Sequence, residues 1–190
     1  MQQALVDSLI DLLDLESIEV NIFRGVSPDE DRQRIFGGQV AGQALVAAAR
    51  TVDDERPVHS LHAYFLRPGD PTVPVLYEVV RIRDGRSFTT RRVVAIQHGR
   101  AIFHMSASFH VSEPGYQHSD PMPNVIGPEN LPTREERFAA AGLDDRWGPS
   151  AIDMRYVTTD PLQRTDAEPP TQQVWLRTNG ELPDGLVLHT

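Results

Sequence analysis

The sequence has no cysteine among its 190 residues. Disulfide bonds, thiolate zinc sites and cysteine nucleophiles are therefore excluded. It also has no lysine, because all 18 basic residues are arginine, and this excludes a Schiff-base lysine and a P-loop lysine. Arginine is the only fixed cation with which this chain can hold a phosphate or a carboxylate, through planar paired hydrogen bonds.

Long hydrophobic runs are missing as well. No stretch approaches the roughly 20 consecutive apolar residues that span a bilayer. The first 25 residues carry several acidic side chains and no early basic cluster, which fits neither a secretory signal nor a transit peptide. We therefore predict a cytoplasmic protein without membrane insertion. The net charge of -9 argues against nucleic acid as a partner, because its phosphate backbone requires a basic face.

Two stretches have the spacing of helices. Leucines alternate with aspartates at helical spacing over residues 2–15, which predicts an amphipathic surface helix. Residues 39–50 are rich in alanine and nearly free of charge, which predicts a buried helix around which a sheet can wrap closely. Two glycines, Gly37 and Gly38, directly precede it.

Alternating patterns predict five strands in the first two thirds of the chain, over residues 17–24, 61–67, 73–83, 87–97 and 101–112. The turn signals between them are Pro68-Gly69, which suits a type II turn, and Asp84-Gly85 and His98-Gly99, which suit hairpins. A strand, a buried helix and an antiparallel meander together predict an α+β protein with the hotdog fold, an antiparallel sheet wrapped around a central helix. The first hotdog domain is expected to comprise residues 1–112.

The remaining third of the chain begins with many prolines. Residues 113–150 are predicted to form a Pro-rich linker, with one short helix where Thr133 and Glu136 have capping-box spacing. Strand patterns return over residues 152–158 and 173–178, before the turn signal Asn179-Gly180. We interpret residues 151–190 as the start of a second hotdog domain that is incomplete in this sequence.

Several ordered segments of the sequence resemble the acyl-CoA thioesterase II family of double hotdog enzymes. They are residues 35–45 (IFGGQVAGQAL), 60–69 (SLHAYFLRPG), 86–91 (RSFTTR), 120–123 (DPMP) and 174–177 (VWLR) with Asn179-Gly180. The resemblance implies hydrolysis of fatty acyl-CoA to free fatty acid and coenzyme A by an activated water, without a cofactor or metal. It also implies that an Asp, a Thr and a Gln of the second hotdog activate that water, after a segment resembling Leu188-His189. These three are expected beyond Thr190, so the catalytic residues are unknown here.

The substrate-binding candidates are Gly38, Gln39, His62 and Tyr64. Backbone N–H groups at the start of the buried helix can hold a thioester oxygen as charge develops on it, or the two glycines only allow close packing. Gln39 can orient a water or a carbonyl, or be locally bonded. His62 shares a strand face with Tyr64 and can act as a base near neutral pH, although a lone strand histidine is more often a surface residue.

The candidates for the phosphates of coenzyme A are Arg81, Arg83 and Arg86, which cluster in sequence around the Asp84-Gly85 turn, with Arg91 and Arg92 on the next strand. The same arginines can instead form a charged edge that discourages aggregation between strands.

Two function classes stay open. The first is an acyl-CoA thioesterase, and the second is a non-catalytic acyl-CoA-binding or assembly module, which is what the residues of this chain alone would form. A hotdog hydratase is less favoured, because its expected Asp and His pair is not visible. Strand edges that need covering predict a homo-oligomer.

Overall fold

The structure, a computed structural model, describes residues 2–28, 32–145 and 148–185. The helices are α1 (Gln2–Leu13), α2 (Gly37–Ala49) and α3 (Arg134–Ala140). The strands are β1 (Glu16–Glu19), β2 (Ile22–Gly25), β3 (Val58–Phe65), β4 (Val75–Asp84), β5 (Phe88–Gln97), β6 (Arg100–His110), β7 (Ile152–Tyr156) and β8 (Val174–Thr178). None of the described helices is long and apolar enough to cross a membrane.

Two compact units divide the described chain. The sheet unit consists mainly of Leu9–Gly115, and the hairpin unit consists of Tyr116–Leu182 with the residues up to Ser8. The domain boundaries expected from the sequence stay a prediction. The second hotdog, including Leu188 and His189, was expected to continue into residues that lie outside the described ranges.

The sheet unit has one antiparallel sheet in the order β1-β2-β4-β5-β6-β3. Helix α2 packs against β2, β3, β4, β5 and β6, and nine of its 13 residues are buried. We call the sheet face toward α2 the inner face and the opposite one the outer face. Alanines such as Ala44, Ala47 and Ala48 are fully buried because their small side chains let the strands approach the helix backbone. The predicted fold, an antiparallel sheet around a central buried helix, is confirmed.

The prediction of one strand over residues 17–24 was wrong, because this segment folds into the two strands β1 and β2. The chain reverses at Asn21, which has a φ of 61°, and Glu19 pairs with Ile22. Asparagine tolerates this left-handed conformation better than most residues. The period-two pattern gave no sign of the turn, because Val20 and Asn21 continue the alternation without a glycine or proline.

The predicted turns had mixed outcomes. His98 and Gly99 both have positive φ, 50° and 69°, and connect β5 to β6 as expected. Gly69 does not have the positive φ that a type II turn requires. It is needed for space instead, because a Cβ there would lie 2.9 Å from Ile35 Cδ1. Gly85 also lacks positive φ, and its N–H donates to the Phe88 carbonyl across a three-residue loop.

The hairpin unit contains the antiparallel pair β7-β8 and the short helix α3. The predicted capping box is present, since the Glu136 N–H donates to Thr133 Oγ1 and Glu136 Oε2 accepts from the Thr133 N–H. Hydrogen bonding of Thr133, first through its N–H, to the carboxylate holds the pKa of Glu136 below its usual value. The buried Arg137 of α3 forms a paired ion pair with Asp160, which anchors the helix to the segment that follows β7.

Candidate functional site

The N-terminus of α2 is open to a ligand. Phe36 precedes the helix in an extended conformation, and no side chain caps this end. Gln39 N–H and Val40 N–H both donate to the Phe36 carbonyl, at 3.1 and 3.4 Å. The N–H groups of Gly37 and Gly38 come earlier and have no carbonyl acceptor within the helix, as at every helix start. The positive end of the helix dipole therefore lies at this point.

The two glycines at this end make room for aromatic rings. A Cβ on Gly37 would lie 3.0 Å from the Phe65 ring of β3, and a Cβ on Gly38 would lie 2.4 Å from the ring of Phe36. The interpretation of these glycines as close-packing residues is therefore supported by their surroundings. It does not compete with the anion-holding interpretation, because both depend on the same bare backbone.

An apolar cavity of about 340 Å³, the helix-end pocket, opens beside Gly37. Aliphatic and aromatic side chains make most of its wall, and two arginines lie at its border. The lining residues are Arg34, Ile35, Gly37, Val40, Phe65, Leu66, Arg67, Pro68, Gly69, Ile102 and Phe103. A cavity of this size and character suits the thioester end of an acyl chain.

Gln39 is buried, and its side-chain amide donates to the Val26 carbonyl and to Ser27 Oγ, both at 3.1 Å. The locally bonded interpretation of Gln39 therefore describes its contacts. Its role toward a substrate stays a prediction, as does that of Gly38.

The structure does not bring His62 and Tyr64 together with the glycines. Both are exposed on β3, and they lie on the outer face, since Tyr64 pairs with His104 and His62 with Ser106. The His62 and Tyr64 rings are 4.7 Å apart, and the Tyr64 and His104 rings 5.1 Å. Their neighbour Phe65 points the other way, into the helix-end pocket.

The three predicted phosphate arginines do not share a face. A bulge in β4 places Arg81 opposite Arg91 and Arg83 opposite Thr90, and Arg91 and Thr90 are consecutive residues with opposite orientations. Arg81 donates from Nε to Asn21 Oδ1 at 2.8 Å, while Arg86 is exposed in the loop after β4. Their contact with phosphates stays a prediction.

Arg91 was expected to join this arginine group, but it is 1% exposed. Its Nε donates to Thr51 Oγ1 at 2.7 Å, and its Nη2 donates to the Thr51 carbonyl at 2.8 Å and to Asp84 Oδ1 at 2.5 Å. Its Nη1 donates to the carbonyls of Arg83 and Thr90. Arg91 therefore holds the C-terminal end of α2 against the sheet and is not available to a ligand.

Gln43, like Arg91, is a buried polar residue, and the sequence analysis gave it no role. It is fully buried, its amide donates to the carbonyls of Leu12 and Val26, and its Oε1 accepts from the Tyr77 hydroxyl at 2.7 Å. Burial raises the pKa of Tyr77, so the hydroxyl stays protonated and keeps donating. A glutamine in the middle of an Ala-rich helix, one turn after Gln39, was the available signal, because such a position requires partners once the helix is buried.

Among the described residues, no group of three or more His, Asp or Glu side chains could hold a metal ion.

The chain is similar to known acyl-CoA thioesterases. The family model for the acyl-CoA thioesterase N-terminal domain matches residues 26–110. Acyl-CoA thioesterase 2 of Haemophilus influenzae is 40% identical over 94% of this chain and 65% of its own length. The crystal structure of an acyl-CoA thioesterase II from Mycobacterium marinum is 47% identical, with a TM-score of 0.73 over 94% of this chain and 63% of that one.

A more distant structure supports the fold alone. A conserved protein of unknown function with a hotdog fold from Alicyclobacillus acidocaldarius is 20% identical, with a TM-score of 0.69 over 90% of this chain and 62% of that one. The chain spans less than two thirds of the length of each of these three relatives.

Proposed function

Because this chain belongs to the acyl-CoA thioesterase family, we propose that it serves the hydrolysis of fatty acyl-CoA to free fatty acid and coenzyme A by direct attack of water. The observation that carries this proposal is the apolar helix-end pocket at the uncapped N-terminus of α2. It combines space for an acyl chain with N–H donors for a carbonyl oxygen.

In the proposed arrangement the thioester oxygen lies at the first turn of α2 and accepts from the N–H groups of Gly37 and Gly38. Donors at this point stabilise the negative charge that develops on the oxygen when water attacks the carbonyl carbon. The acyl chain lies against Val40, Phe65 and Phe103, which exclude water from it. The family resemblance assigns activation of the water to an Asp, a Thr and a Gln expected beyond Thr190.

A second function is an acyl-CoA-binding or assembly module without catalysis. One observation favours it, since the described residues that line the helix-end pocket include no carboxylate and no imidazole. A general base within reach of a bound thioester would have to come from another part of the protein.

Thiol release from octanoyl-CoA and palmitoyl-CoA, together with binding of both, tests these functions. Replacing Leu66 of the pocket wall with Asp is expected to reduce both binding and thiol release at least 10-fold, because a carboxylate would have to be desolvated beside the acyl chain. Leu76→Asp is the matched control, since Leu76 is similarly exposed, 41% against 46%, but pairs with Arg24 and Ile96 outside the pocket.

The outcomes separate the two functions. Both measurements are made on this chain and on a longer form that continues beyond Thr190. Leu66-dependent thiol release by either form supports the thioesterase, and Leu66-dependent binding without thiol release by either form supports the binding module. Neither binding nor release by the unmodified chain would show that both proposals are wrong.

We further propose that the protein works in the cytoplasm, in fatty acid metabolism, as a homo-oligomer. Support for the oligomer comes from β3, the last strand of the sheet, whose second edge pairs with no strand among the described residues. Leu61, Tyr64 and Phe65 on this strand are each about half exposed or more. An unpaired edge with such side chains is a site where another strand can add.

The expected mass in solution is therefore a multiple of the 21.2 kDa chain, measured by light scattering on a size-exclusion column. Hydrogen exchange provides the second measurement. Amides along the outer edge of β3 should be protected at high protein concentration and exchange faster on dilution. A mass of one chain at all concentrations, with concentration-independent exchange in β3, would contradict the oligomer.

A further inference from the structure

The helix-end pocket borders a second depression, which we call the basic recess. The recess has a volume of about 270 Å³ and is lined by Arg67, Pro68, Asp70, Gln97, His98, Arg100 and Ile102. Arg67, Pro68 and Ile102 line both cavities. A ligand whose thioester lies at the start of α2 can therefore extend into the recess without leaving the surface of the sheet unit.

The charge of the recess is positive on balance. Arg67 and Arg100 are two fixed cations, and both are exposed. Arg67 Nη1 donates to the Ala101 carbonyl at 2.6 Å, which orients the guanidinium and leaves most of its five donors outside that bond. Arg100, at the beginning of β6, has the same fork of donors for a phosphate.

Asp70 is the one carboxylate of the lining, and it is already engaged. Its Oδ1 accepts from the N–H and the hydroxyl of Thr72, at 2.9 and 2.6 Å, and these bonds lower its pKa. Its Oδ2 lies 3.3 Å from Nε2 of His98. Asp70 is therefore held by Thr72 and His98.

The backbone that carries these groups is held in place by Gln97, which is buried. Its amide donates to the carbonyls of Asp70 and Val73, at 2.9 and 2.8 Å, and its Oε1 accepts from the Asp70 N–H at 2.8 Å. These three bonds connect the end of β5 to the segment before β4. A fixed backbone lets the cations bind an anion without first being ordered.

The loop between β4 and β5, with Arg83 and Arg86, lies at the other end of α2. Arg91 donates both to the Arg83 carbonyl and to the carbonyl of Thr51, just beyond the end of the helix. Arg56, in the loop that follows Thr51, donates to the Gly85 carbonyl at 2.7 Å. A helix of 13 residues is about 20 Å long. The recess adjoins the start of α2, whereas the β4–β5 loop is about one helix length away from that start.

We propose that Arg67 and Arg100, with His98, bind the phosphates of the coenzyme A part of the substrate. This rests on the proposed function, because it takes the helix-end pocket as the place of the thioester. We prefer it to Arg81, Arg83 and Arg86 because Arg67 and Arg100 line one cavity, whereas Arg81 and Arg83 point to opposite faces of the sheet.

Binding of adenosine 3′,5′-bisphosphate, coenzyme A, pantetheine and inorganic phosphate, measured by calorimetry, tests the proposal. Arg100→Gln is expected to weaken binding of the bisphosphate and of coenzyme A at least 10-fold, the usual loss for a charge-assisted hydrogen bond, and to leave pantetheine binding unchanged. Arg67→Gln should act in the same direction. Arg92→Gln is the matched control, because Arg92 is exposed on the outer face, opposite Val80 and Ser106.

A double variant, Arg83→Gln with Arg86→Gln, compares the arginines of the β4–β5 loop with those of the basic recess. The proposal is overturned if this variant weakens bisphosphate binding and Arg100→Gln does not, if the unmodified chain does not bind the bisphosphate, or if inorganic phosphate alone binds as tightly. Bisphosphate binding that depends on Arg100, in a longer form that continues beyond Thr190 and still releases no thiol, would support the recess and count against the thioesterase. Thiol release unaffected by Arg100→Gln at low substrate concentration would do the reverse.

Discussion

Replacing Arg91 with Met is expected to lower the free energy of unfolding of the sheet unit by about 3–5 kcal/mol, because several acceptors lose their donor, at a cost of about 1–3 kcal/mol for each one that is buried. The side chain is 1% exposed and donates to two oxygens of Thr51, to the carbonyls of Arg83 and Thr90 and to Asp84. Methionine fills a similar volume, but it leaves the buried Thr51 carbonyl without this donor. The cation at the C-terminal end of α2 is lost as well.

Urea unfolding followed by far-ultraviolet circular dichroism and by hydrogen exchange of the α2 amides measures this loss. Arg91→Lys should be intermediate, because an ammonium keeps the charge but cannot reach all the acceptors in one plane. Arg92→Met on the exposed outer face is expected to change stability by less than about 0.5 kcal/mol. A loss below about 1 kcal/mol for Arg91→Met would contradict the role given to this residue.

Replacing Asp160 with Asn is expected to destabilise the hairpin unit by about 3 kcal/mol at neutral pH. Asp160 Oδ1 accepts from Arg137 Nη2 at 3.0 Å and from the Leu162 N–H at 2.8 Å, and its Oδ2 accepts from Arg137 Nε. The guanidinium also stacks on Tyr156, 4.2 Å from the ring centroid. Both partners are about 9% exposed, so the substitution leaves a buried cation without its counter-ion.

This pair has a defined pH dependence. Hydrogen bonding to Arg137 lowers the pKa of Asp160, so folding favours the ionised carboxylate. Its contribution is fully present above the ordinary aspartate pKa of about 3.9 and is lost as the pH falls through the lowered value in the folded state. The difference between the unmodified chain and Asp160→Asn should therefore be constant from pH 7 to about 5 and shrink below about pH 4.

Tryptophan fluorescence in urea follows this transition, because both tryptophans, Trp147 and Trp175, lie after Gly115 in the sequence. Asp144→Asn, an exposed substitution nearby in the sequence, is the control and should leave both stability and its pH dependence unchanged. A stability difference for Asp160→Asn that persists undiminished at pH 3 would contradict the assigned pKa direction.

The sequence predicted the elements whose pattern is local. The Ala-rich run before Arg50 can be buried only as a helix, and the apolar alternation of β6 buries one face only as a strand. Both elements could therefore be predicted directly from the sequence. The capping box at Thr133 is equally local, since its four residues supply both donors and both acceptors. The break at Asn21 could not be read, because a single left-handed residue interrupts no hydrophobic period.

The candidate site was predictable at the start of α2 and less so elsewhere. A glycine pair at the start of a buried helix predicts an N-terminus without side chains of its own that could cover it, and this prediction does not depend on the rest of the fold. By contrast, Arg67 was interpreted only as the last residue of a predicted strand, although it borders both the helix-end pocket and the basic recess. Its side chain acquires this position from the pairing of β3 with β6, which joins residues about 40 apart in sequence.

The absence of lysine determined that any anion bound by a fixed cation is bound by arginine, and the sequence alone establishes this. Which arginines are free to do so was decided only by the tertiary structure. Arg91 is buried and bonded within the protein, and a bulge turns Arg81 and Arg83 to opposite faces. Arg67 and Arg100 line the same recess. The physical reason is that composition determines which charged side chains a chain has, whereas strand register determines where each side chain points. That direction decides whether a guanidinium donates to a backbone carbonyl of the protein or to a ligand.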